Sequence, residues 1–547
     1  MSKLIAVIDS TRNLYTQTNY FALLIDNWND FSFRTQYQLY YISIKKNVFI
    51  GTVKILSRDQ IPDGKLRITE DFESLSSDYI SIGQSLDYYQ RLLDLPDGKG
   101  KELLEKLMDA ALYPNIEKNF AKEPGLRKSL YRDFDNPEHF ILLARSLITG
   151  LHSSLAGEDL KFKLTLPNWS RPITFDFSNA TENQGDTSIP SNVYVLTGTN
   201  GAGKSTLLSR LARIAHATQK QRRMKQMQAL GSISPQGIGF TRIITVSYSA
   251  FDSFRLPGVK PTRSNLPDER GQIVRDVQVG GGRFIFCGLR DIAAEHENRL
   301  AAEIQQRLDT DDSDVHSDRD ASTVLKPIEQ IAKEFSNTLE RLKERGPFAK
   351  RILNRALKCI KSDPSFTADN YELSANYLFE CNAIDLYLGW STGIKIVMQI
   401  IVSLCANVTQ HSLVLIDEPE MHLHPPLLAA LMHAIREILD HENAHAIVST
   451  HSPVVIQETL AKNVYQIRRE GDLSNYHIPA IETFGENVGT LTTEVFGLNT
   501  ETKDFYRILD VLGRKYNDLE KIETLFKPYG LSVQARSYLM SAIASEV

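Results

Sequence analysis

The segment Gly198-Thr-Asn200-Gly201-Ala-Gly203-Lys204-Ser205 satisfies the pattern G-x-x-x-x-G-K-[ST] in full. Residues of these types at this spacing do phosphate chemistry. The glycines let successive backbone N–H groups turn inward around phosphate oxygens. A helix that starts at the lysine adds the positive end of its dipole. Lys204 is placed to reach the β- and γ-phosphates of a nucleoside triphosphate, Ser205 to offer a hydroxyl to Mg²⁺, and Thr206 to continue the binding turn. ATP with Mg²⁺ is the expected ligand. A second group lies far along the chain, where Leu413-Val-Leu-Ile416 runs into Asp417-Glu418-Pro419. Four apolar residues followed by two carboxylates form the pattern of a Walker B strand. There Asp417 would hold Mg²⁺ through water and Glu418 would polarise the attacking water.

These residues can meet only if the elements that carry them end at one edge of a sheet. The run Val193–Leu196 predicts a strand into the phosphate loop, and Ser205-Thr-Leu-Leu-Ser-Arg-Leu-Ala predicts an amphipathic helix out of it. In a doubly wound sheet the carboxyl end of the 413–416 strand lies beside that loop. A third buried strand, Ala446–Thr450, ends in His451-Ser-Pro453, and a Ser391-x-Gly393 turn opens a long apolar helix. Further strands are expected over 33–44, 48–55, 161–177, 242–248 and 283–287. Residues 75–155 read as mixed and mostly helical, and 291–362 as helical. The latter are interrupted by the acidic tract Asp309-Thr-Asp-Asp-Ser-Asp314, read as a solvated loop. His422-Leu-His424 reads as part of the turn after the Walker B strand rather than as a metal site or part of an HNH motif.

Composition sets the outer limits. The chain has 547 residues, 42% hydrophobic and 24% charged, an ordinary globular mixture long enough for several domains. Its net charge is -5, so any nucleic-acid surface must be local. Candidates for one are Lys220, Arg222, Arg223 and Lys225, with Arg341, Lys343, Lys350, Arg351 and Arg355. Four scattered cysteines, Cys287, Cys359, Cys381 and Cys405, contain no C-x-x-C pair and argue against a cysteine zinc site or a disulfide framework. The apolar run 394–408 is broken by Lys395, Gln399, Ser403 and Asn407 and reads as a buried helix. A cytoplasmic protein without a membrane partner is expected.

In order, the motifs resemble the ATP-binding-cassette-type ATPases of the RecF, SMC and OLD kind: phosphate loop, Ser-x-Gly turn, Asp-Glu-Pro-Glu-x-His-Leu-His-Pro and Ser-Thr-His-Ser-Pro. The resemblance implies an α/β P-loop ATPase fold with N-terminal strands and a helical insertion. It implies that His451 is the switch histidine sensing γ-phosphate. It also implies that Ser391 and Gly393 form a degenerate signature clamping the nucleotide of a second copy, so that a homo-oligomer encloses ATP. Trp390 and Ile394 depart from the usual signature. Ser249-Ala-Phe-Asp252 stands where a Q-loop glutamine belongs, so Asp252 or a serine must substitute. Transporter subunits, SMC proteins with long coiled coils and OLD nucleases with a Toprim domain fit this chain less well. The stretches Tyr79–Leu93 and Ser249–Asp252 resemble the PtuA ATPase of Septu-type and retron-linked antiphage systems. That resemblance implies an ATPase that gates a separate HNH nuclease, with a reverse transcriptase and its msDNA in retron versions. The alternative is a RecF/SMC-like DNA-repair ATPase that binds DNA directly. The expected domains are an ATPase over 1–470, with a β-rich lobe at 1–190 and a helical insertion at 291–385. A helical region at 471–547 would follow for partner docking. Trp169, Phe175 and Phe177 are candidates for stacking on adenine.

Overall fold

The computed structural model describes residues 4–8, 19–44, 47–150, 160–177, 191–250, 252, 254–258, 269–306, 318, 323–367, 373–496 and 504–545. The acidic tract 309–314 lies outside the described residues.

The N-terminal strands alternate in burial and pair in chain order. They are β1 (Ala6–Ile8), β2 (Tyr20–Ile25), β3 (Gln36–Ile42), β4 (Val48–Ser57) and β5 (Tyr79–Gly83). All neighbours are antiparallel except β1 and β2. The helix Leu86–Leu93, capped by Ser85, closes one face together with the helix Pro137–Thr149.

The second sheet carries the motifs. Its strands are β8 (Val193–Gly198), β10 (Ile243–Ser247), β11 (Phe284–Gly288), β12 (Leu413–Asp417), β13 (His445–Ser449), β14 (Val464–Glu470) and β15 (Leu473–His477). They lie in the order β11-β10-β12-β13-β8-β14-β15, parallel throughout except for the last pair. Burial is nearly unbroken along β8 and β10 to β13 because both faces are covered. Val193, Val195, Val414, Ile416, Ala446 and Val448 face a core shared with the helices Ile328–Glu344, Pro347–Ile360, Thr392–Asn407 and Pro425–Glu442. Tyr194, Leu196, Leu413, Leu415 and Ile447 face the helix Lys204–His216. Period-two alternation therefore splits each strand between two cores.

Residues 161–177, read from sequence together with the N-terminal strands, pack elsewhere. Strand β6 (Lys161–Thr165) pairs with β7 (Ile173–Asp176) on one side and on the other with β9 (Ser232–Ser234), which follows the phosphate-loop helix, and the three share that helix's core. The helix Leu86–Leu93 meets the layer around the second sheet through buried charges. Asp87 accepts from Arg283 at 2.9 Å and lies 3.1 Å from Nε2 of His216, while Arg91 pairs with Asp276 at 2.8 Å. Burial alone would raise the Asp87 carboxyl, but Arg283 and His216 hold it far below the usual range. Among the described residues no helix is long and apolar enough to cross a membrane.

Candidate nucleotide site

Strand β8 ends at Gly198, where the backbone takes φ +148° and an added Cβ would lie 2.2 Å from the carbonyl oxygen of Ile467 on the neighbouring strand. Only glycine lets the loop leave the sheet there. Gly201 and Gly203 adopt φ +78° and +99° and face open space, so backbone conformation rather than crowding requires them. Asn200 and Gly201 are exposed at the tip, and Thr206 is half-buried in the first helical turn. Lys204 turns back over the loop. Its ammonium donates to the carbonyls of Gly198 at 3.0 Å and Thr199 at 3.4 Å, and it meets Nε2 of His451 at 2.8 Å. Burial pushes the Lys204 pKa down, against the charges of Glu418, Asp417 and Glu420.

Asp417 closes β12 one strand away from β8, with β13 between them. Its Oδ1 accepts from the hydroxyl of Ser205 at 3.1 Å and, more closely, from that of Ser449. Burial raises its carboxyl to about 7, and the neighbouring charges of Glu418 and Asp252 act in the same direction. Glu418 sits at φ +49°, a left-handed conformation that costs a non-glycine residue about 1–3 kcal/mol. That turn brings Glu418 Oε1 to 3.6 Å from His451 Nε2. The His451 pKa is lowered, first by burial and then by the Lys204 charge. A neutral imidazole can accept from the lysine ammonium, which assigns the ring proton to Nδ1.

Sequence reading passed over three residues that hold this arrangement. Glu420 is half-buried under the turn, where its carboxylate accepts from the His451 backbone N–H at 2.5 Å and the Thr450 hydroxyl at 2.9 Å. Ser449 and Thr450 are the other two. The available signal was a second acid in Asp-Glu-Pro-Glu and two hydroxyl residues before the histidine. His424 proves to be the cap of the helix Pro425–Glu442, accepting from the Leu427 N–H through Nδ1 at 3.4 Å.

Ser391 and Gly393 stand apart from this cluster. Ser391 is exposed at the start of the helix Thr392–Asn407, and its side chain makes no cap hydrogen bond. An added Cβ at Gly393 would lie 3.5 Å from the His422 carbonyl, so this helix start abuts the turn after β12. Asp252 is buried 3.7 Å from Arg290, which also grips Glu295 through two nitrogens. Two of the adenine candidates are corrected by the packing. Phe175 and Phe177 are fully buried against Tyr194 and cannot face a ligand, whereas Trp169 is half-buried beside Ser474.

The residues present fit ATP and Mg²⁺. The glycine loop opens to solvent, the lysine holds only carbonyls and an imidazole, and a hydroxyl and a carboxylate converge as oxygen ligands. Residues 288–457 match a protein family described as "AAA domain, putative AbiEii toxin, Type IV TA system". That span takes in Ser391, Asp417, Glu418 and His451 and begins after the phosphate loop. Over that span the chain is similar to an AAA domain. It is 28% identical over 536 residues to protein ea59 of Escherichia phage lambda, covering 95% of this chain and 94% of that protein. Among solved structures it is similar to the SMC head domain from Thermotoga maritima, at 12% identity and TM-score 0.28, over 59% of this chain and all of that one. A similar likeness is to an SmcHead bound to the C-winged helix domain of ScpA, at 10% identity and TM-score 0.25, over 58% of this chain and 97% of that one. The strand order, rather than these likenesses, defines the fold.

Proposed function

We propose that this site binds and hydrolyses ATP between two copies of the chain. The observation that carries the reading is Lys204, held between the loop carbonyls and His451, which follows β13, the strand next to Asp417's own. With a nucleotide in the loop, the ammonium exchanges its carbonyl partners for phosphate oxygens. His451, already beside it, then faces the terminal phosphate. Mg²⁺, when bound, would neutralise charge on the β- and γ-oxygens, held by Ser205 and Asp417. Glu418 orients the attacking water and accepts its proton. Ser391 and Gly393 of a second copy supply the opposite wall through the N-terminus of their helix. The exposed, uncapped Ser391 hydroxyl supports that role.

Lys204→Ala is expected to abolish binding of a fluorescent ATP analogue. Glu418→Gln is expected to retain binding, lose phosphate release and elute as a dimer with ATP. Hydrolysis at the wild-type rate by Glu418→Gln would refute the base assignment. A monomer at every nucleotide concentration would refute the shared site.

The biological setting we propose is a switch for another protein's chemistry. Following the resemblance of Tyr79–Leu93, that partner is an HNH nuclease in an antiphage complex, with a reverse transcriptase and msDNA in a retron version. Its support within this chain is the C-terminal unit. The helices Asp504–Tyr516, Leu519–Thr524 and Val533–Ser545 close a small core of their own and leave Ile508, Val511 and Val533 exposed. Co-purification of a nuclease with the full chain, lost on truncation after residue 496, tests the docking. Nuclease retained by a folded truncation would refute it.

A further inference from the structure

The chain uses most of its exposed-looking cations inside the fold. Arg222, a candidate for nucleic-acid contact from sequence, is buried and donates to the carbonyls of Ile214, Ala215, Gln236 and Ile238. Arg223 pairs with Asp135, Lys220 lies over the Trp28 ring, Arg341 donates to the Gly280 carbonyl and Lys343 to that of Phe379. One element differs. The helix Pro347–Ile360 and the residue after it carry Lys350, Arg351, Arg355, Lys358 and Lys361, with no Asp or Glu anywhere in 347–361. Among the described residues none of the five makes an ion pair; Arg351 only approaches the ring of Phe348, 5.9 Å to its centroid.

The opposite face of this helix is apolar and locked. Ile352, Leu353, Ala356, Leu357 and Ile360 are buried in the core shared with the helix Pro425–Glu442. The cations therefore cannot rotate inward. Arg351, Arg355 and Lys358 follow at i, i+4 and i+7 on one stripe. From Arg351 to Lys361 the stripe runs about 15 Å, which spans roughly four phosphates of one strand at about 3.4 Å of duplex axis each. Nearby acids are few. Glu437 on the packed helix is half-buried, Asp363 is buried, and Glu442 is held by Arg345. In a chain of net charge -5, such a row of uncompensated cations is a local field built for a polyanion. Its two arginines add planar forks that match phosphate oxygens.

We propose that the outer face of the helix Pro347–Ile360 binds the phosphate backbone of duplex DNA without reading its sequence. This does not rest on the nucleotide site, because the two surfaces share no residue. The helix packs directly on Pro425–Glu442, which begins just after the Glu418 turn, so a duplex held here would lie on an element continuous with the ATPase motifs.

The test uses the full chain and a fluorescent duplex of roughly 30 base pairs, with anisotropy read between about 50 and 200 mM salt. If three phosphates are neutralised, wild type weakens about 40-fold across that range, a log–log slope of about −2.7. Arg351→Ala/Arg355→Ala/Lys358→Ala keeps good helix formers on the surface. It should lose most binding at low salt and most of the slope, while retaining ATP binding as a check on folding. Lys220→Ala/Arg223→Ala should bind DNA as wild type does. The proposal is overturned by wild type that does not bind the duplex at low salt, or by a triple variant with the wild-type slope. Capture of phosphatidylserine vesicles in place of DNA overturns it equally.

Discussion

Replacing Glu420 by alanine isolates the support of His451 from nucleotide binding itself. The substitution removes a carboxylate that accepts from the His451 N–H at 2.5 Å and from the Thr450 hydroxyl at 2.9 Å. Charge-assisted bonds of this kind contribute about 1.5–3 kcal/mol each, so the pair is worth about 3–6 kcal/mol before solvent intervenes. The site is half open, since His451 and Glu418 each keep about a third of their side-chain surface, and water recovers part of that loss. If about 1.4–2.8 kcal/mol remains as freedom of the imidazole, kcat falls about 10- to 100-fold. The phosphate loop is untouched, so Kd for ATP should stay within about threefold. Glu420→Gln keeps an acceptor for the N–H and should recover most of the rate. The assay is phosphate release with fluorescent-nucleotide binding in parallel, in wild type, Glu420→Ala, His451→Ala and the double variant. Glu420 acting through His451 makes the double variant no slower than His451→Ala alone. Two effects that multiply independently would refute the reasoning.

Asp87→Ala strips the shared carboxylate from Arg283 and His216 and should cost about 3–5 kcal/mol, read as a lowered urea midpoint; a change under about 1 kcal/mol would mean the contact of the helix Leu86–Leu93 is not held by this network. Gly198→Ala drives a Cβ into the Ile467 carbonyl and should part β8 from β14, abolishing ATP binding; wild-type affinity would contradict the close approach. Burial, aided by the His411 charge, lowers His445 to about 3, so the unfolded chain binds a proton there first. Its stabilisation is present above about pH 6.5 and is lost on acidification toward 3, at up to about 1.4 kcal/mol per unit. Burial raises Asp109 to about 7, which works the other way: the native state holds the extra proton, and stability falls as pH rises from about 4 to 7. Asp109→Asn should therefore raise Tm at pH about 8 and change it little at about 5; equal shifts at both would exclude the protonated carboxyl.

The nucleotide motifs were legible because each is local. Val193–Leu196 and Leu413–Ile416 are apolar runs that end in the residues they present, and the strands sit where those runs predict. Side-chain packing was less legible. Alternation along Ile173–Phe177 gives a strand but does not say that its aromatic face meets Tyr194 rather than a ligand. The pairing of β6 with β9 spans the phosphate loop and its helix, and nothing in either segment names the other. Arg222 looks like a surface cation in Lys220-Gln-Arg-Arg and is an internal clamp, because four carbonyls left at helix and loop ends converge on it. Glu420 was visible as an acid, but only the fold shows which amide it faces.

The position of β8 has a consequence for how the chain is made. Its two neighbours in the sheet are residues 445–449 and 464–470, while its own residues are 193–198. At about 5–20 residues per second the ribosome needs roughly 12–50 s to supply the first of them. Throughout that interval the complete phosphate-loop motif exists on a strand with no partner on either edge. Any product ending before residue 445 therefore displays the full signature of a nucleotide-binding protein without the sheet that gives the loop its shape.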